Sequence, residues 1–401
     1  MRRLIHFKSQ SKNTSTSRKQ RGSIVVLAAA TLVLIFAFTS FTIDLGFIAL
    51  TKAELQNAAD SAALGGAQEL QNGVGIGPVS SPEDTATAAR HVADALASLN
   101  PAGELDSVYI DEINDVRFGQ LQWDDAAGKW ETNWGVTPYT LIEVVAHRDR
   151  GEAKDVNGVT VDGPLPLFFG PVIGRKDASL STRSVAAIFP GGGFRIDEDS
   201  NARSHILPIA LDEQTWNDLL AGIGSDDYGY DAANDRIECH GDGILEANLY
   251  PSGSTELPPG NRGTVDLGSP NNSTQDLKRQ IVYGLNAEDM SWFGGELRFD
   301  DVPVELNGDT GLSVGIEASL REVIGQAKAI PIFSSVSGPG NNATYTITKF
   351  VGIRIMDVNL AGNPSKRRVV VQPAPFSDST VVRSRKTVSV DSIFTTPGLI
   401  Q

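Results

Sequence analysis

Ile24–Ile43 reads IVVLAAATLVLIFAFTSFTI, twenty residues without a charge. A helix rises about 1.5 Å per residue, so this run spans about 30 Å, the hydrocarbon thickness of a bilayer. Thr31, Thr39, Ser40 and Thr42 can bond back to helix carbonyls and do not forbid insertion. Beyond Asp44 the pattern changes but the helix is not stopped. Leu45, Ile48, Leu55, Ala59, Ala62 and Ala63 recur at three- and four-residue spacing, and six of the fifteen residues from Ala53 to Ala67 are Ala. Ala58, Ala62 and Gly66 form one stripe of small residues, and Ala59, Ala63 and Ala67 another. Such stripes let helices approach closely. Two readings stay open: packing on a second helix in an assembly, or packing on the chain's own domain.

Further along, Ser81-Pro82-Glu83-Asp84 starts a helix over 81–99, with Ala89, Val92, Ala93, Leu96 and Leu99 on its apolar face and Asn100-Pro101 as its stop. Strand patterns follow at Val108–Ile113, Val116–Trp123, Leu141–Ala146 and Ser179–Phe189, with a hairpin turn at Asp124–Gly128 between Trp123 and Trp130. Pro190-Gly191-Gly192-Gly193 and the polar stretch Asp197–Ser204 read as a linker. After it, helices are expected at Asp212–Ala221, Thr274–Tyr283 and Ser313–Gln326, and strands at Thr344–Val358 and Arg367–Gln372. The end of the chain is polar, with Thr380–Val390 as a candidate edge strand. The expected class is α+β, in this order: basic leader 1–21, membrane span 22–43, Ala-rich extension 44–70, β-rich domain 71–189, linker 190–205, second α+β domain 206–376, tail 377–401.

Charge gives this plan a direction. The formal net charge of −15 over 401 residues conceals two regions. Residues 1–21 hold seven bases and no acid, while the rest holds 27 bases against 49 acids, a net of −22. Positive charge before the span keeps the N-terminus in the cytoplasm and sends the acidic remainder across the membrane. A nucleic-acid binder would carry its positive charge on the folded domains, so nucleic acid is not an expected partner. The apolar run is longer than the usual core of a cleaved signal peptide, and no small-x-small site follows it, which favours an uncleaved anchor.

Arg21-Gly22, the apolar span, Asp44-x-Gly46 and Leu55-Gln56-Asn57-Ala58-Ala59-Asp60-Ser61-Ala62-Ala63-Leu64 resemble the N-terminal segment of TadG-like proteins, which are linked to assembly of tight-adherence (Flp-type) pili in bacteria. Asp115–Gly119 and Leu165-Pro166-Leu167-Phe168-Phe169-Gly170 with Ile173-Gly174 resemble the exported β-rich part of the same family. The resemblance implies that Arg21, Gly22, Asp44, Gly46, Leu55, Gln56, Ala58, Ala59, Asp60, Ala62 and Ala63 serve the membrane boundary and helix packing. Asp44 would hold the membrane boundary, since a carboxylate within the hydrocarbon costs about 2.5–3.5 kcal/mol. Pilins of this system are cut after a Gly and have a Glu five residues into the apolar helix. Leu27 stands at that place here, which implies an unprocessed, tethered accessory component in the inner membrane.

The sequence has no phosphate loop, no His-Glu-x-x-His and no Gly-x-Ser-x-Gly, and its five His are scattered, so no enzyme is expected. Carboxylates crowd Asp226–Glu246, and clustered oxygens are the ligand set of Ca²⁺, but the spacing departs from an EF-hand loop. A solvated acidic loop is expected there, and no cofactor. Cys239, the single cysteine, reads as a buried thiol, with an intermolecular disulfide as the alternative. Two functions follow. One is a membrane-tethered assembly component of a pilus or its secretion apparatus. The other is a membrane-anchored, adhesin-like module that binds a glycan or a protein.

Overall fold

A computed structural model describes residues 23–76, 80–154, 158, 160–249, 262–269, 273–338, 342–386 and 388–400. The basic leader, with Arg21 and Gly22, lies outside the described residues. The fold is α+β.

Helix α1 runs unbroken over Ser23–Glu69. It contains no Pro, and Gly65 and Gly66 are carried within it rather than ending it. The Thr39 and Thr42 hydroxyls donate to the carbonyls of Ile35 (2.9 Å) and Phe38 (2.8 Å), as their place in an apolar helix requires. Its apolar half is bare, with nothing of the chain packed on it. It is the one helix among the described residues long and apolar enough to cross a membrane. From Thr51 onward one face of the same helix is buried.

Helix α2, Pro82–Ser98, starts where the Ser81 hydroxyl accepts the Asp84 N–H. It lies against the second half of α1 at very close range. A Cβ on Gly65 would meet Leu96 Cδ1 at 2.0 Å, and one on Gly66 would meet the Ala89 carbonyl oxygen at 3.1 Å, with Ile142 Cδ1 of the neighbouring sheet at 2.5 Å. Beside this pair stands an antiparallel sheet of β1 (Val116–Asp124), β2 (Lys129–Trp134) and β3 (Leu141–Arg148), reached through a two-stranded ribbon, β4 (Leu165–Pro166) and β5 (Asp177–Ala178), by β6 (Leu180–Ala187). The order is β2–β1–β3–β6, closed at its far edge by Gly398–Leu399. Ala58, Ala59, Ala62, Ala63 and Ala67 of α1, Ala89, Ala93 and Ala97 of α2, and Phe118, Ile142, Val144 and Phe394 make one core.

Val108–Ile113 does not form the expected strand. Carboxylates take its backbone donors instead: Asp94 accepts the Ile110 N–H, Asp115 that of Asp111, and Asp111 those of Ile113 and Asn114. The expected linker also proves ordered. β7, Gly191–Arg195, is a strand between Glu296–Arg298 and Val381–Arg383. Its glycines admit neighbours rather than loosen the chain. A Cβ on Gly192 would meet Asp300 Oδ2 at 2.1 Å, and one on Gly193 the Leu297 carbonyl oxygen at 2.7 Å.

The remainder is organised on a seven-stranded sheet that begins with β8, Ile209–Asp212. Arg262–Val265, Val304–Asp309, Ala343–Asn359 and Ala327–Ser337 follow β8 in pairing order, and Ala327–Ser337 returns to pair with β8, so five strands close into a small barrel. The expected helices form over Glu213–Leu220 and Thr274–Tyr283. The one expected over Ser313–Gln326 shrinks to a 3₁₀ turn, Val314–Ile316, and Glu317–Glu322, and Gly325 at φ +85° follows its end. The polar tail is likewise structured. It threads Ser377–Asp378, Val381–Arg383, Phe394–Thr395 and Gly398–Leu399 from the barrel half back to the first sheet.

Candidate functional site

The functional candidate is the foot of the body, where the bare half of α1 gives way to the packed half. Asp44 sits at the change. It is only 7% exposed, and its carboxylate accepts the Phe168 N–H (2.9 Å) and the Phe169 N–H (3.1 and 3.2 Å). The Phe47 and Phe168 rings lie 5.0 Å apart just above it. Asp44 therefore latches the Leu165–Gly170 segment to the helix. Asp44 and the Leu165–Gly170 run each stand out in the sequence, but nothing local in either encodes a contact over more than a hundred residues.

The next level up is held by Glu54, which accepts the Gly103 N–H at 2.8 Å. Gly103, at φ +68°, fits between Leu165 and Thr51; a Cβ would meet Leu165 Cδ1 at 2.8 Å and Thr51 Oγ1 at 3.0 Å. The buried Arg148 on β3 braces both loops. It donates to the Ala102 carbonyl (2.7 Å), the Gly163 carbonyl (2.8 Å) and Glu104 (2.6 Å). A buried guanidinium with all these acceptors filled holds its neighbours in one geometry.

Residues 22–69 match the family model "Putative Flp pilus-assembly TadE/G-like". The N-terminal segment is thus TadE/G-like, and it is nearly coextensive with α1. No curated protein and no solved structure matches the chain.

Within the TadE/G-like helix, the implied residues take different places. Leu55, Ala58, Ala59, Ala62 and Ala63 are fully buried against α2 and the sheet. Of the two readings left open for the small-residue stripes, the structure realises the second, and those positions present no face to a partner. The physical reason is volume, since only Ala and Gly let α1 and α2 come this close above β3. Gln56 and Asp60 form a half-buried pair on the flank, with Gln56 Nε2 donating to Asp60 Oδ1 at 2.8 Å and to the Arg183 carbonyl at 3.3 Å. Gly46 is exposed, with nothing within 4 Å of a Cβ built on it.

The acidic run holds itself together. Its strands Gly229–Asp231 and Arg236–Glu238 form a hairpin. Asp226 accepts the Asp242 and Gly243 N–H groups, and Glu246 those of Asp227 and Tyr228. Burial raises the Glu246 pKa above the ordinary carboxylate value, against these backbone donors. No group of three or more His, Cys, Asp or Glu poised for a metal ion occurs among the described residues. Cys239 is exposed, which corrects the reading of a buried thiol; the hairpin carries it outward at a solvent edge. Four histidines each face a carboxylate: His91 Glu112, His147 Asp149, His205 Asp378 and His240 Glu238. His6 lies outside the described residues.

Proposed function

We propose that this chain is a membrane-tethered structural component of Flp-type pilus assembly or of its secretion apparatus. In this reading the basic leader stays in the cytoplasm and the body stands on the outer face of the inner membrane. The observation that carries the reading is the coincidence of the TadE/G-like segment with one unbroken helix, bare and apolar in its first half and packed along one face in its second. Such a helix joins membrane and body without a joint. The body then has no freedom to swing, as an anchor made of a span and a loose linker would allow.

The partner-binding surface in this reading lies on the exposed body or on the span itself, because the Ala stripes are occupied internally. Replacing residues 1–43 by a cleavable signal peptide tests the role. The expected result is a folded, exported body and loss of pilus assembly. Full assembly with a freed body would overturn tethering. Normal assembly with lost adherence in a variant altered only on the body surface would favour the adhesin-like alternative.

A further inference from the structure

The loop joining β4 to β5 reads Leu167-Phe-Phe-Gly-Pro-Val-Ile-Gly-Arg-Lys176. It turns four large apolar side chains outward: Phe168, Phe169, Val172 and Ile173. Val172 is 85% and Ile173 75% exposed. A single exposed apolar residue is ordinary, but a contiguous set on one loop marks a contact surface.

The loop is a built turn. Gly170–Ile173 is one 3₁₀ turn, Gly174 at φ +84° reverses the chain, and Arg175 N–H closes it on the Gly170 carbonyl at 2.9 Å. A Cβ on Gly170 would meet the Arg175 carbonyl oxygen at 2.3 Å, so the turn closes only on glycine.

Its height along α1 is set by contacts already described. Leu165 is level with Thr51, through Gly103, and Phe168 and Phe169 are level with Asp44. The chain thus descends seven residues of helix, about 10 Å, toward the apolar half. It reaches Asp44, the first residue beyond the uncharged run, with its apolar side chains bare. Immediately after them come Arg175 and Lys176, both exposed.

We propose that Phe168–Lys176 docks on the outer leaflet of the bilayer that α1 crosses. Phe168, Val172 and Ile173 enter the boundary between headgroups and acyl chains, and Arg175 and Lys176 meet the lipid phosphates. Aromatic and branched side chains gain there by leaving water, while cations on long stems keep their heads at the phosphate level. The docking rests on the membrane-spanning reading of α1. It would give the body a second point of attachment beside the helix.

The test uses the full chain in a Cys239→Ser background, with Val172→Cys or Leu34→Cys carrying an environment-sensitive fluorophore. The protein is reconstituted in phosphatidylcholine–phosphatidylglycerol vesicles containing nitroxide lipids labelled at the headgroup or deep in the acyl chain. The expected result is at least twofold quenching at position 172 by the headgroup nitroxide and at position 34 by the deep one. Arg175→Gln with Lys176→Gln should at least halve the quenching at 172. Quenching at 172 by aqueous iodide alone, with position 34 still quenched by the deep lipid, would overturn the docking and leave the span standing. Loss of quenching at both positions would overturn both. A shielded label at 172 that lipid nitroxides do not reach, and that becomes exposed on dilution of the protein in lipid, would instead assign the loop to contact between copies and also overturn the docking.

Discussion

Asp44 shows how one side chain can carry more than its place in a motif suggests. Read from sequence, it marks the end of an apolar run. In the fold it also accepts hydrogen bonds from two part-buried backbone N–H groups. Asp44→Ala should therefore cost about 1.5–3 kcal/mol, the usual worth of hydrogen bonds to a charged group. The measurement is urea unfolding in detergent, paired with limited proteolysis, in which the 165–178 ribbon should be cut first while export persists. Asp378 and Asp391 make a second residue-scale case. Burial disfavours both carboxylates, but His205 and Thr380 around Asp378, and Lys349, Ser389 and Trp216 around Asp391, hold their pKa values below the ordinary carboxylate range. A depressed pKa gives stability that is complete above the unfolded value, about pH 4, and is lost as pH falls through the folded value. Unfolding midpoints should thus be flat on this account above about pH 5 and fall below pH 4, less steeply in Asp378→Asn. The His205–Asp378 and Lys349–Asp391 pairings were not legible in the sequence, because each joins residues more than forty positions apart.

At the scale of elements, the sequence was most legible where a period or a cap fixes structure locally. The apolar run, the Ser81 cap, the hairpin at Asp124–Gly128 and the strands from Val116, Leu141 and Ser179 all follow from nearest neighbours along the chain. It was least legible where glycine serves packing. Gly191–Gly193 has the composition of a linker and is a strand, because what decides it is the approach of Asp300 and Leu297 from a hundred residues away. The α1–α2 crossing follows the same rule and can be tested by overfilling it. Gly66→Val should destabilise the body by about 1–3 kcal/mol, with Gly46→Val as a nearly neutral control, since nothing lies within 4 Å of a Cβ at Gly46. Thermal unfolding of the two variants checks it; equal loss in both would contradict the close crossing.

At the scale of the whole molecule, the two β-rich parts are not strung in sequence. The chain leaves the first sheet after β6, builds the barrel, and returns to lay Gly398–Leu399 along β6 and to bury Phe394 in the first core. Phe394→Ala should cost about 3–5 kcal/mol. It should weaken protection of amide hydrogens in α2 and β3, although nearly two hundred and fifty residues of sequence separate Phe394 from β3. Cutting the chain at residue 205 would remove the same support, so a deletion that aims to separate the halves must spare residues 377–400. The unbroken α1 has a geometric consequence of another kind. A helix advances about 100° per residue, so whatever grips the span within the bilayer meets the body at one fixed azimuth. One residue inserted between Ile43 and Asp44 would leave length, charge and burial almost unchanged, yet would turn the body by nearly a third of a revolution relative to that grip. Eleven inserted residues, about three full turns, would restore the phase while lifting the body by about 16 Å.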